Sequence, residues 1–124
     1  MVIFIKKFSF IFENELAGDI VRVLALSLGR LWFSELVAEV NAFRSTLGIS
    51  EIVDEDSIRN SLKFLESNGI VYCEDRLRSQ LLGESVKDTL VSLLNYDSII
   101  NELKNDERYN AYISKYRSSF LSFT

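Results

Sequence analysis

"SIRNSLKFLESNGIVYCEDRLRS", residues 57–79, decides how this chain is read. Ile58, Leu62 and Leu65 recur at helical spacing, which predicts a helix with one buried apolar face. "SNGI" stops that helix, because Gly69 suits the left-handed position just past a helix end. "IVYCE" and "RLRSQLL" then read as two strands of a hairpin with a tight turn around Asp75. Arg76 and Arg78 straddle the expected tip. A helix feeding a hairpin is a shape that touches nucleic acid in some proteins and protein in others.

The flanking sequence supplies the rest of a small domain. Upstream, Asn14 is a plausible N-cap, with Glu15 and Asp19 near the positive end of the helix dipole. Leu16, Ile20, Val23 and Leu24 form its apolar stripe and Gly29 closes it. "RLWF" (30–33) reads as a short strand. Ser34 is expected to cap a second helix, with Leu36, Val37, Val40, Phe43 and Leu47 on one face and Gly48 at its end. "ISEIVDED" (49–56) is a connecting loop, and Asp56 or Ser57 is expected to cap the third helix. After Gly83 everything reads as helical: Val86, Leu90, Leu93 and Leu94, then Ile99, Ile100 and Leu103. Asp106 caps a last helix. Residues 2–12 alternate loosely, with Phe8, Phe10 and Phe12 on one strand face, although a helix also fits.

Composition narrows the chemistry. The chain has 124 residues, 48% of them hydrophobic, which is one domain with ample core. There are 14 basic and 18 acidic side chains and no histidine, so imidazole bases, Ser-His nucleophiles and His-bound metals are excluded. The single cysteine, Cys73, excludes an internal disulfide and a multi-cysteine zinc site. No EF-hand spacing or glycine-rich phosphate loop is present. A non-enzyme without cofactors is the expectation. The N-terminal "MVIFIKKFSFIF" is broken by Lys6 and Lys7, is far shorter than the ~20 residues of a membrane span and lacks a cleavage site. The expectation is therefore a cytoplasmic protein without a membrane partner. Scarce Gln, Met and Cys hint at a thermophile.

"FENELAGDIVRVLALSLGRLWFSELVAEV" followed by "DEDSIRNSLKFLESNGIVYCED" resembles the winged helix-turn-helix transcription regulators of the ArsR, MarR and PadR kind. The matching features are the Ile20-to-Leu24 register, the Phe33-Ser34-Glu35-Leu36 lead-in to the second helix, and the Ser57-to-Val71 pattern ending in Gly-Ile-Val. They span roughly residues 12–82. Two departures stand out: a longer segment between the second and third helices, and its acidity (Glu51, Asp54, Glu55, Asp56). The resemblance implies a mainly α, α+β winged helix of archaeal origin. It would have a three-helix core, a β-hairpin wing and a C-terminal helical extension (84–124). It implies a homodimeric, sequence-specific reader of double-stranded DNA; the other reading is a winged-helix protein-interaction module.

With Ile58, Leu62 and Leu65 inward, Ser57, Arg59, Asn60, Ser61 and Lys63 face outward, where arginine can bridge guanine and asparagine can pair adenine. The same five also make an ordinary solvated helix face. Arg76 and Arg78 suit a wing on a narrow minor groove, or equally pairs with Glu74 and Asp75. Lys6, Lys7, Arg30 and Arg44 are further phosphate candidates. The acidic run either complements the helix dipole or repels phosphate and attracts a basic partner. Cys73 is a redox sensor or a small buried hydrophobe. Tyr109, Tyr112, Ile113, Tyr116 and Phe120 make a dimer surface, or pack on the protein's own first helix. Arg108, Lys115 and Arg117 add positive charge there.

Overall fold

The computed structural model of the protein describes residues 8–79, 81 and 83–121, with side chains through residue 117. Its elements run α1 (Ser9–Glu13), α2 (Glu15–Leu26), β1 (Arg30–Trp32), α3 (Phe33–Thr46), α4 (Glu55–Ser67), β2 (Val71–Arg78), β3 (Val86–Leu93), α5 (Tyr96–Leu103) and α6 (Glu107–Leu121). The strands form one antiparallel sheet in the order β1-β3-β2. The fold is therefore α+β.

Helix α2 is central and buried on every side, with Ile20, Val21 and Leu24 fully enclosed. Asn14 caps it as expected, its Oδ1 accepting from the Ala17 N–H at 3.1 Å. Its other end turns through Leu28 (φ 62°) and Gly29 (φ 92°). Only glycine fits the second of these, since a Cβ there would sit 2.9 Å from the Tyr96 ring. From α3 come Leu36, Val40 and Phe43, and from α4 the predicted Ile58, Leu62 and Leu65, all buried against this centre. Gly48 and Gly69 close α3 and α4 as read, each followed by an N–H returning to the last turn: Ile49 to the Arg44 carbonyl, Ile70 to the Leu65 carbonyl.

At residues 9–13 the helical alternative holds, with Phe8 and Ile11 inward, while Phe10 sets its ring edge-on to Phe64. Lys6 and Lys7 lie outside the described residues. Several other local expectations are corrected. Asp54, not Asp56 or Ser57, caps α4, accepting the Ser57 N–H at 2.8 Å. Helix α3 starts one residue before Ser34; Trp32 is its N-cap residue and donates its N–H to Glu35 Oε1. The hairpin does not turn at Asp75. Strand β2 continues through Arg78, the connection spans 79–85, and Asp75 pairs with Thr89 inside the ladder.

The largest correction follows from that register. Residues 86–93, read as the start of the helical C-terminal segment, form the central strand of the sheet. Leu31 and Cys73 both pair with Val91, from opposite sides. The Val86, Leu90 and Leu93 spacing fits a helix and a twisted strand alike, and two hydrogen-bonded neighbours decide for the strand.

Candidate nucleic-acid interface

Helix α4 leads into the hairpin, and its outer face carries the side chains singled out above. Arg59, Asn60 and Lys63 are exposed; Ser57 and Ser61 are half-buried, which narrows the outward set to three. The Arg59 guanidinium lies 4.1 Å over the centre of the Phe33 ring. It makes no ion pair among the described residues, and neither does Lys63.

The hairpin arginines do not straddle the tip; of their two expected roles Arg76 takes the ion-pair one, whereas Arg78 pairs with neither Glu74 nor Asp75. Arg76 pairs with Glu74 at 3.1 Å. Arg78 ends β2 and folds back on the start of α3. Its Nη1 donates to Ser34 Oγ at 3.1 Å and Asp88 Oδ2 at 3.3 Å, its Nη2 to Glu35 Oε2 at 3.3 Å, and Trp32 lies 5.5 Å beneath it. Asp88 is the hub of this brace. Burial alone would raise its pKa; the Ser34 hydroxyl, the Thr89 N–H and Arg78 outweigh that and hold it below the ordinary carboxylate range. The cation that sequence reasoning missed is Lys87, exposed on β3 opposite Leu77 and without an ion pair among the described residues. A helical reading of 86–93 hid it. Between α3, α4 and the hairpin lies an open cleft of about 690 Å³, whose lining includes Phe33, Glu55, Arg59, Arg78, Lys87 and Asp88.

The acidic run sits at the start of α4. Asp54, Glu55 and Asp56 are exposed, Asp54 as the cap and the other two in the first turn, where they complement the helix dipole. The Ser57 N–H and hydroxyl hold the Asp54 carboxyl below the usual carboxylate range. Residues 51–88 carry nine carboxylates against five cations, a deficit equal to the whole chain's −4. Cys73 is half-buried in β2, and burial, Glu66 and Asp75 push its thiol up to about 11.

Two other candidate cations are spent elsewhere. Asp19 is fully buried and its carboxylate accepts from Arg22 at 2.8 Å, from Arg44 at 2.8 Å and from Nε and Nη2 of Arg108. Arg22 also clamps Asp106 with two bonds of 2.7 and 3.0 Å. Arg44, a phosphate candidate, and Arg108, read as added charge on the last helix, thus belong instead to a buried ionic cluster tying α2, α3 and α6 together. Arg22 is packed so closely that a Cβ at Gly18 would lie 2.9 Å from its Nη1. Arg30 is exposed on β1.

On α6, Tyr109, Tyr112 and Ile113 are half-buried on the chain's own body, Tyr112 tilted against Phe43 at 4.9 Å. Tyr116 is 62% exposed, and the Phe120 side chain lies outside the described ones. Self-packing therefore takes much of the predicted dimer stripe. Among the described residues there is no cluster of three or more Cys, Asp or Glu that would hold a metal ion, and no helix long and apolar enough to cross a membrane. No protein-family model matches the chain, and neither does any curated protein.

Proposed function

We propose that the chain is a winged-helix protein that binds duplex DNA as a transcription regulator, with α4 in the major groove and the β2–β3 hairpin on the flanking backbone. One observation carries the reading. Strand β1, lying between α2 and α3, pairs with β3, so the sheet holds the hairpin beside α4, whose Arg59, Asn60 and Lys63 are exposed. That order of elements is the one in which a helix reads base edges and a hairpin touches backbone. Lys87 joins the phosphate contacts; Arg76 and Arg78, already paired to carboxylates, do not. The active species in this reading is a homodimer joined through α6 around Tyr116, which sets half-sites about one helical turn apart.

A second reading rests on the acidic rim of Asp54, Glu55 and Asp56: an interaction module that offers the same face to a basic protein. Titrating random duplex DNA at about 50 mM and about 200 mM salt separates the two, because phosphate contacts make affinity fall steeply with salt. Binding that weakens with salt, and weakens further in an Arg59→Ala, Lys63→Ala double variant that still folds, supports the DNA reading. No binding at the lower salt sinks it.

A further inference from the structure

We propose that the tetrapeptide Trp32-Phe33-Ser34-Glu35 is the positioning element of this interface: Phe33 sets Arg59 to read a guanine, while Trp32, Ser34 and Glu35 set the hairpin through Arg78 and Asp88. The inference rests on the DNA reading above. The junction of β1 and α3 sends two adjacent aromatic side chains to two different arginines, Trp32 to Arg78 on the hairpin and Phe33 to Arg59 on α4.

The two arginines are held in opposite ways. Arg78 donates from Nη1 to Ser34 and Asp88 and from Nη2 to Glu35, so both terminal nitrogens are engaged within the protein and it acts as a strut between hairpin and α3. Ser34 adds its own hydroxyl bond to Asp88 at 2.8 Å, which ties β3 to the same four residues. Among the described residues, the contact that holds Arg59 is through the face of its guanidinium. Stacking on an aromatic ring leaves the in-plane N–H donors free, and those are the donors that bridge guanine O6 and N7. Phe33 is only 5% exposed, so the ring under Arg59 is itself fixed by the core. An arginine ordered before contact loses less side-chain freedom on binding, which sharpens discrimination. Phe33 is a positioning residue and Arg59 the specificity-determining one.

Two measurements test this. In the free protein, NMR of the Arg59 side chain should show its Hδ protons shifted upfield by the Phe33 ring; the shift should vanish in Phe33→Leu and persist in Phe33→Tyr. Selection from a random duplex pool should then enrich a guanine at one position per half-site. Arg59→Ala should abolish that preference, Phe33→Leu should relax it by about fivefold, the scale of one cation–π contact, and Phe33→Tyr should restore it. Asp88→Ala, which cuts the hairpin strut, should weaken binding to all sequences alike and leave the guanine preference in place. If the upfield shift is absent, the positioning role is overturned whatever the DNA result. If Arg59→Ala removes the preference and a folded Phe33→Leu keeps it, the positioning role fails while the DNA reading stands. If no sequence is enriched and binding is insensitive to salt, the DNA reading fails and takes the inference with it.

Discussion

Asp19 and Arg108, 89 residues apart, meet through a two-pronged contact in which Nε donates to Oδ1 at 3.0 Å and Nη2 to Oδ2 at 2.6 Å. The carboxylate is fully buried, and two further arginines converge on it. Buried charges are tolerated only when paired, and removing one partner strands the others. Asp19 is therefore the shared partner through which α2, α3 and α6 are tied in one ionic cluster, beside the Arg22–Asp106 clamp and the Tyr112–Phe43 contact.

Replacing Asp19 with Ala leaves Arg22, Arg44 and Arg108 without their shared carboxylate. The expected loss is about 3–5 kcal/mol in denaturant unfolding, the range for breaking a buried pair. Arg108→Met removes only the α6 side of the contact. It should speed hydrogen exchange of α6 amides while those of β3 and α4 stay protected. Unchanged exchange in α6 would mean that Tyr109, Tyr112 and the Arg22–Asp106 clamp, not the Asp19–Arg108 pair, hold that helix down.

Asp106 gives the cluster a pH dependence. Burial alone would raise its pKa; the Arg22 hydrogen bonds, the Tyr109 N–H and the charges of Arg22 and Arg108 outweigh it, so the folded value lies below the ordinary 3.8. A carboxylate with a depressed folded pKa contributes stability that is whole above its unfolded pKa and is lost as pH falls through the folded one. Asp106→Asn keeps a capping side chain at the start of α6 but removes the titration. The stability gap between wild type and Asp106→Asn should hold level down to about pH 5 and narrow from there to about pH 2. A gap that stays constant over that interval would show that Asp106 is not the titrating group.

How far the sequence disclosed this protein depended on whether the signal was local. The buried faces of α3 and α4, and the Asn14, Gly48 and Gly69 boundaries, follow from spacing and from backbone rules confined to a few residues. The hairpin register does not. Residues 86–93 satisfy helical and strand spacing together, and only their partners Arg30–Trp32 and Val71–Arg78 choose between them. That single ambiguity moved the turn to 79–85, took Arg78 away from the tip and concealed Lys87. Asp19 and Arg22 were equally opaque, because a charged pair three residues apart reads as solvated surface until a third and fourth partner arrive from α3 and α6. The Phe33–Arg59 contact joins a residue read as the end of a strand to one read correctly as helical, and nothing in either segment announces the other.

Cys73 should be chemically quiet. With its thiol pushed up to about 11 against an ordinary 9.0, it carries about a hundredfold less thiolate at neutral pH than a free cysteine, and the thiolate is the reactive form. Iodoacetamide should label the folded protein correspondingly slowly at pH 7. Glu66→Gln removes the nearer source of negative charge and should speed labelling. A wild-type rate equal to that of a small free thiol would revive the sensor role.

The acidic start of α4 gives the sharpest test between the two functional readings. Glu55 and Asp56 are exposed on the first turn, one turn before Arg59 and two before Lys63, so the nearer cation lies within the ~8 Å over which charges act at physiological salt. If α4 enters a groove, those carboxylates repel the phosphates it must pass. Neutralising them as Glu55→Gln, Asp56→Asn should then raise affinity for duplex DNA by about fivefold, mainly through faster association, with the gain shrinking as salt rises. Asp54 stays untouched, because its carboxylate caps the helix through Ser57 and its loss would confuse electrostatics with unfolding. If the face instead receives a basic protein, the same double variant should weaken that complex and leave DNA association unchanged. Stopped-flow association with fluorescent duplex reads the difference directly, and an on-rate identical to wild type at low salt would remove α4 from the DNA interface.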